Sequence, residues 1–162
     1  MTAILVTGMS GTGKSTALDL LGERGYWVVD TDTDEWSEWV TLPDGSLDWV
    51  WREDAIETLL DEHVDDALFV AGCKTNQGAF YPRFDQIALL SAPAEVLLAR
   101  IDARRNNPYG KTPDERALIL QHLSEIEPRL RATATIEIDA SAPIIQVVDQ
   151  LEALVRPRDI AT

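Results

Sequence analysis

The sequence has a single cysteine, few basic residues and no long apolar run. Cys73 is the only cysteine among 162 residues, so no internal disulfide can form, and a reducing compartment is expected. No apolar stretch approaches the ~20 residues that span a bilayer, and no basic segment precedes a signal-like apolar region. We therefore expect no membrane partner and a cytoplasmic location.

Basic residues are half as numerous as acidic ones, 14 against 28, which gives a formal net charge of −14. A broad nucleic-acid-binding surface needs clustered lysine and arginine, so nucleic acid is not an expected partner. No internal repeat or Gly/Ser-rich linker divides the chain, and its length suits one hydrophobic core. We expect a single domain over residues 1–162, as a monomer or a homodimer.

What the sequence does have is a phosphate-binding motif near its start. The apolar run 3–7 leads directly into residues 8–16, GMSGTGKST, which fit the P-loop pattern G-x-x-x-x-G-K-[ST] between a strand and a helix. Glycines turn backbone N–H groups toward phosphate oxygens, the lysine interacts with the β- and γ-phosphates, and the next hydroxyl can hold Mg²⁺. The motif predicts that ATP and Mg²⁺ bind to Gly8, Ser10, Gly11, Thr12, Gly13, Lys14, Ser15 and Thr16.

Strands and helices alternate along the chain, which indicates an α/β fold with a parallel sheet and helices on both faces. The predicted strands are 3–7, 26–30, 67–71, 86–90 and 135–139. The predicted helices are 14–24, 52–63, 93–105, 113–126 and 143–155. The irregular stretch 31–51 is expected to form an insertion beside the site.

Two carboxylates, Asp30 and Asp32, come at the end of the second predicted strand. Ligands of open parallel sheets bind beyond the carboxyl ends of the strands, which places both carboxylates at the site. One of them can help to hold Mg²⁺, and the other can orient or deprotonate a substrate hydroxyl. Strand 67–71 has no acid at its end, so Asp30 and Ser15 are the expected metal-site residues.

A basic helix end, Arg104 and Arg105, precedes a loop containing Pro108, Tyr109 and Gly110. Such a segment can form a mobile lid that brings arginine over the triphosphate, where it stabilises the charge of the transferring phosphoryl group. We expect the lid at about 104–112 and count both arginines, with Lys14 and Asp32, as catalytic. Arg100 fits the lid and a role at the helix C-terminal dipole equally well.

All five tryptophans fall within residues 27–51, where they can stack on a ring-shaped acceptor or form the insertion's own core. Lys74 and Arg83 are candidates for contacts with substrate and fit ordinary surface positions about as well. His63 and His122 are expected on helix surfaces.

Together these features resemble the small P-loop metabolite kinases, which include shikimate, gluconate and nucleoside-monophosphate kinases. The resemblance implies a three-layer P-loop NTPase fold with a five-stranded parallel sheet of order 2-3-1-4-5 and right-handed crossovers. The run Asp30-Thr31-Asp32 is similar to the D-x-D of shikimate kinases, which implies that Asp30 serves the metal and Asp32 the acceptor hydroxyl. The turn 71–74 and the stretch 123–128 are closer to gluconate kinases, and 137–143 resembles their adenine loop.

The resemblance does not extend to the substrate. Ile126 stands where shikimate kinases usually carry an arginine before a proline, and residues 33–36 differ from the segment that completes the shikimate site. The leading hypothesis is therefore an ATP-dependent small-molecule kinase with an unidentified acceptor, whose insertion at about 31–63 binds that acceptor. The alternatives are a regulatory nucleotide-binding module with slow hydrolysis and a nucleoside-monophosphate kinase.

Overall fold

The main sheet has five parallel strands in the order β2-β5-β1-β6-β7. The computed structural model describes residues 2–9, 11–63, 66–105 and 110–155. The strands of this sheet are β1 (Thr2–Thr7), β2 (Trp27–Asp30), β5 (Ala67–Ala71), β6 (Gln86–Ser91) and β7 (Ile136–Asp139). The strand order 2-3-1-4-5 has to be corrected because it counts only five strands. The described residues form seven, and the two that were missed, β3 and β4, lie outside this sheet.

Six α-helices and one 3-10 helix surround the strands in the described part of the chain. They are α1 (Lys14–Glu23), α2 (Glu53–Glu62), the 3-10 helix (Gln77–Arg83), α3 (Ala94–Ala103), α4 (Pro113–Glu125), α5 (Glu127–Thr133) and α6 (Ile144–Glu152). Four of the α-helices lie within two residues of their predicted bounds, α6 ends three residues before its predicted end, and α5 was not predicted. None of the helices described is both long and apolar enough to cross a membrane.

The central strand β1 is buried on both faces, and its side chains alternate between two hydrophobic cores. Ile4 and Val6 pack in the core that also contains residues of α1, α3 and α6. Ala3 and Leu5 pack in the other core, with residues of α2 and the 3-10 helix. Helices therefore cover both faces of the sheet, which leaves the carboxyl ends of its strands as the place where a ligand can reach it.

The insertion after β2 contains an antiparallel hairpin of β3 (Ser37–Thr41) and β4 (Leu47–Trp51), followed by α2. Trp39 lies opposite Trp49, and Ser37 lies opposite Trp51, so these side chains share one face of the hairpin. We call Trp39, Trp49 and Trp51 the aromatic face. Trp51 is buried in the core beside α2, which anchors the hairpin to the domain.

Candidate nucleotide and acceptor site

A cleft of about 730 Å³ opens at the carboxyl ends of the parallel strands. Its lining brings together residues from the P-loop, from the ends of β2 and β5, and from α3 and α4. These residues are Gly8, Met9, Gly11, Gly13, Lys14, Ser15, Thr16, Asp30, Asp32, Gly72, Cys73, Lys74, Arg100, Arg104, His122, Ile126 and Ile144. Most of the residues predicted from the P-loop and from the Asp30-Thr31-Asp32 run therefore lie in one cleft.

The P-loop backbone has the shape that the glycines predict. Gly8 has a φ of 149°, and a Cβ there would collide with the backbone oxygen of Leu90, so only glycine fits between β1 and the end of β6. Thr12 is buried, and its hydroxyl donates a hydrogen bond of 2.9 Å to the carbonyl of Met9, which fixes the turn. Predicted residue Ser10 lies outside the described residues.

Helix α1 begins at Lys14, so the positive end of its dipole points into the cleft, and no acidic residue in its first turn reduces that potential. The Lys14 Nζ donates to the backbone oxygens of Gly8 at 2.6 Å and Met9 at 3.1 Å. Burial lowers the pKa of the Lys14 ammonium, while Cys73, Asp30 and Asp32 act in the opposite direction. A cation held in this way is suited to a phosphate oxygen in the cleft.

Ser15 and Asp30 are in contact at the mouth of the P-loop. The Ser15 hydroxyl donates a hydrogen bond of 2.7 Å to Asp30 Oδ2, although 15 residues separate them in sequence. The other carboxylate oxygen of Asp30 accepts the backbone N–H of Asp32 at 3.1 Å, which fixes the orientation of the carboxylate. The two residues predicted for the metal site therefore lie in direct contact.

Asp32 is the centre of a second cluster, on the hairpin side of the cleft. Its Oδ1 accepts hydrogen bonds from Lys74 Nζ at 2.7 Å and from the Trp49 indole N–H at 3.1 Å. Its side chain is 69% exposed, whereas that of Lys74 is 11% exposed. Burial acts to raise the pKa of the Asp32 carboxyl, but the Lys74 ammonium and the Trp49 N–H outweigh it and hold that pKa below its usual value.

The contact between Lys74 and Asp32 makes a pH-dependent prediction. The Lys74→Met substitution removes the hydrogen bond and the charge that lower the pKa of Asp32, so that pKa rises. If the Asp32 carboxylate is the base, its ionised form then disappears at a higher pH. We therefore expect the acid limb of kcat/KM to move to higher pH. A pH–rate profile of both proteins measures this, and an unchanged acid limb would mean that Lys74 does not set the charge of the base.

Two side-chain amides fix the position of the loop after β5. The Asn76 amide accepts the backbone N–H of Trp51 and donates to its carbonyl, both at 3.0 Å. Gln77 is buried, accepts the backbone N–H of Lys74 at 2.9 Å and donates to the Thr7 hydroxyl at 3.2 Å. These contacts hold Lys74 in position and couple it to both the hairpin and the strand that precedes the P-loop.

Three arginines lie at or just after the end of α3, and they differ in their position relative to the cleft. Arg100 Nη1 lies 3.4 Å from the backbone oxygen of Gly11 and lines the cleft. Arg104 also lines the cleft, whereas Arg105 is exposed and is not among its described lining residues. The structure thus separates the two arginines that the sequence could not distinguish. Part of the predicted lid, residues 106–109, lies outside the described residues, so the lid stays a prediction.

Sequence reasoning missed several residues of the cleft wall, namely His122, Ile126 and Ile144. His122 was expected on a helix surface, yet it is half-buried and faces the cleft from α4. No short-range signal indicates this, because the position of α4 over the P-loop depends on how the helices pack.

The central strand of the parallel sheet leads through the P-loop into helix α1. This arrangement defines a P-loop nucleotide-binding protein with the fold of small kinases. The chain belongs to the AAA_18 family, described as AAA domain, whose model matches residues 4–121.

Three curated relatives are similar to the chain. A nucleotide-binding protein of Thermosipho melanesiensis is 31% identical over 124 residues, 72% of this chain and 40% of that protein. A dephospho-CoA kinase of Burkholderia lata is 26% identical over 95% of this chain and 94% of the kinase. The RNase adapter protein RapZ of Salmonella typhi is 27% identical over 98% of this chain and 53% of its own length. The chain therefore spans about half or less of the first and third relatives and nearly all of the second.

Solved structures show the same architecture. A shikimate kinase of Bacteroides thetaiotaomicron matches with a TM-score of 0.62 at 20% identity, over 94% of this chain and 97% of that one. A gluconokinase of Sinorhizobium meliloti matches with a TM-score of 0.62 at 17% identity, over 94% and 90%. At these identities the likeness is one of fold, and it agrees with the resemblance to small P-loop metabolite kinases.

Proposed function

We propose that the protein transfers the γ-phosphoryl group of ATP to a hydroxyl group of a small molecule. One observation supports this more than any other: the exposed carboxylate of Asp32 lines the same cleft as Lys14 and Ser15. A phosphate-binding loop alone binds nucleotide. A carboxylate beside it, ionised and open to solvent, adds a group that can orient and deprotonate an acceptor.

Ser15 and Asp30 would hold Mg²⁺ in this scheme. Both offer hard oxygen atoms, and kinase sites hold Mg²⁺ with one or two carboxylates together with the substrate phosphates. The described residues contain no cluster of three or more His, Cys, Asp or Glu that could hold a metal alone, so the phosphates would complete the coordination. When bound, Mg²⁺ supplies positive charge that offsets the charge developing on the phosphate oxygens.

The transfer step uses this chain's residues in distinct roles. The acceptor oxygen forms a bond to the γ-phosphorus while the bond from that phosphorus to the β–γ bridging oxygen breaks, and ADP leaves with the electron pair. The hydroxyl proton passes to the Asp32 carboxylate. Lys14 and the N-terminus of α1 stabilise the phosphate charge, and catalysis is mainly positioning plus electrostatics.

A regulatory nucleotide-binding module is the second candidate. It is supported by the relatives described as a nucleotide-binding protein and an RNase adapter protein, and by the exposure of Trp39 at 63%. In that case the hairpin would contact a partner protein, and any ATP hydrolysis would be slow and independent of small molecules.

A screen of acceptors distinguishes the two candidates. Steady-state ADP formation is measured with Mg²⁺-ATP alone and with added sugars, sugar acids, nucleosides and nucleotides. The kinase proposal expects at least one compound to stimulate ADP formation by tenfold or more. A low rate that no compound changes would favour the regulatory module and would contradict the kinase.

The arginines at the end of α3 provide a matched pair of variants. We expect Arg104→Ala to lower turnover by about 10-fold to 10³-fold, because a cation in the cleft stabilises the transition state more than bound ATP. Arg105→Ala should change turnover less than twofold, since Arg105 is exposed outside the cleft lining. Measuring kcat and the ATP dissociation constant for both variants tests this, and equal losses in the two would contradict the placement of Arg104.

A further inference from the structure

The aromatic face of the hairpin leads from the protein core to the acceptor side of the cleft. At its inner end the Trp51 indole N–H donates a hydrogen bond of 2.8 Å to the Thr31 hydroxyl, and Trp51 is buried. The next indole, of Trp49, donates to Asp32, the proposed acceptor base. Thr31 and Asp32 are thus each hydrogen-bonded by a tryptophan of β4. The aromatic face therefore has a fixed position relative to the site.

Trp39 extends this face into solvent. Its ring centroid lies 5.1 Å from that of Trp49, and the two rings are inclined by 50°. Trp49 is half-buried and also carries the Lys74 ammonium, 5.7 Å from its ring centroid, whereas 63% of Trp39 is exposed. The exposed indole of Trp39 therefore lies next to Trp49, whose own indole contacts Asp32 and Lys74.

The lysine beside Asp32 already has a carboxylate partner, and so has the arginine that follows β4. Lys74 pairs with Asp32 at 2.7 Å, and Arg52 pairs with Glu38 at 2.8 Å. Arg83, considered above as a possible substrate contact, is not among the described lining residues of the cleft and pairs at 2.6 Å with Asp61 near the end of α2. A carboxylate or phosphate on the acceptor that approached Lys74 would have to displace Asp32, in a protein whose net charge is −14.

From this arrangement we infer that the acceptor is an uncharged, ring-shaped polyol whose apolar face packs on Trp39, an inference that rests on the proposed kinase function. One hydroxyl of such a molecule donates to Asp32, and a neighbouring hydroxyl accepts from Lys74. The C–H face of a sugar or cyclitol ring covers the indole, which supplies contact area without requiring charge. The anionic group of a nucleoside monophosphate or of a sugar acid would compete with Asp32 for the Lys74 ammonium.

Paired probes test the charge of the acceptor. ADP formation by the full chain with Mg²⁺-ATP is measured with glucose, mannose, arabinose and myo-inositol, and with glucuronate, gluconate and glucose 6-phosphate. We expect a neutral compound to give the largest stimulation, at least tenfold above its charged counterparts. Stimulation mainly by a charged compound would overturn the inference and leave the kinase proposal standing. Stimulation by a nucleoside or by no neutral ring would also overturn it, and no stimulation by any compound in the wider screen would remove the kinase as well.

Two tryptophan variants test the position of the acceptor. Trp39→Ala should raise KM for the stimulating polyol about tenfold and leave KM for ATP within twofold. Trp27→Ala is the matched control, since Trp27 is 58% exposed but begins β2, at the end of that strand opposite to Asp30. It should leave both KM values unchanged. An unchanged polyol KM in Trp39→Ala would overturn the inference, as would equal effects in the two variants.

Discussion

Replacing Lys14 with alanine should reduce phosphoryl transfer by at least two to three orders of magnitude. Lys14 is the cation at the start of α1, and its ammonium lies among the P-loop carbonyls rather than in either hydrophobic core. Removing one group that stabilises transition-state charge typically costs 10²–10³ in kcat. The measurement is single-turnover transfer from labelled ATP to the best acceptor.

The fold of this variant should survive. The substitution removes two hydrogen bonds to carbonyl oxygens and one half-buried charge, so we expect the free energy of unfolding to change by about 1 kcal/mol. Urea denaturation followed by circular dichroism provides this control. A folded Lys14→Ala protein with near-normal transfer would contradict the assignment of the P-loop.

The second large effect is expected at Asp32. The Asp32→Asn substitution removes the proton acceptor, so acceptor-dependent turnover should fall by about 10²–10⁴ while the ATP dissociation constant stays within twofold. Asp30→Asn should behave differently, because Asp30 contacts Ser15 rather than the hairpin. It should raise the Mg²⁺ concentration required for half-maximal activity, even for background hydrolysis.

Titrations of ATP and Mg²⁺ into both variants separate the two roles. If Asp32→Asn and Asp30→Asn changed the Mg²⁺ requirement and the turnover in the same way, the division between a metal carboxylate and an acceptor carboxylate would be refuted. The asparagine side chain is nearly isosteric with aspartate, so a difference between the variants reports charge rather than shape.

The parts of the fold that the sequence could predict are those with strong local patterns. Each of the five predicted strands is present in the sheet, and three of them, β1, β5 and β6, are short apolar runs that are largely buried, the strongest strand signal in the sequence. Helix α5 was missed because Pro128 suggests that a helix ends there. In the structure the same proline lies in the first turn of a new helix. Backbone nitrogens in that turn have no hydrogen-bond partner within the helix, so a proline costs nothing there.

The hairpin was also missed, although the sequence contains a signal for it. Residues 37–41 and 47–51 are rich in tryptophan, valine and threonine, and Pro43-Asp44-Gly45 lies between them. Gly45 has a φ of 86° in that turn, and Asp44 accepts the backbone N–H of Ser46. The aspartate, tryptophan and glycine content of residues 31–51 made the stretch resemble an irregular insertion.

The contacts of Asp32 could not be predicted from the sequence at all. The D-x-D resemblance indicated that Asp32 belongs to the site, but its partners come from other elements, Lys74 from the loop after β5 and Trp49 from β4. Both contacts depend on where the hairpin packs, and that position is set by the burial of Trp51 and by the backbone contacts of Asn76. Long-range packing of this kind leaves no periodic signal in the sequence.

The fate of the γ-phosphoryl group tests the central claim most directly. Phosphorus NMR of a reaction with Mg²⁺-ATP and the best acceptor measures ADP, inorganic phosphate and phosphomonoester in one sample. The kinase proposal expects one phosphomonoester for each ADP formed, little inorganic phosphate, and loss of the phosphomonoester signal in Asp32→Asn. Inorganic phosphate equal to ADP, with no phosphomonoester under any acceptor condition, would contradict it.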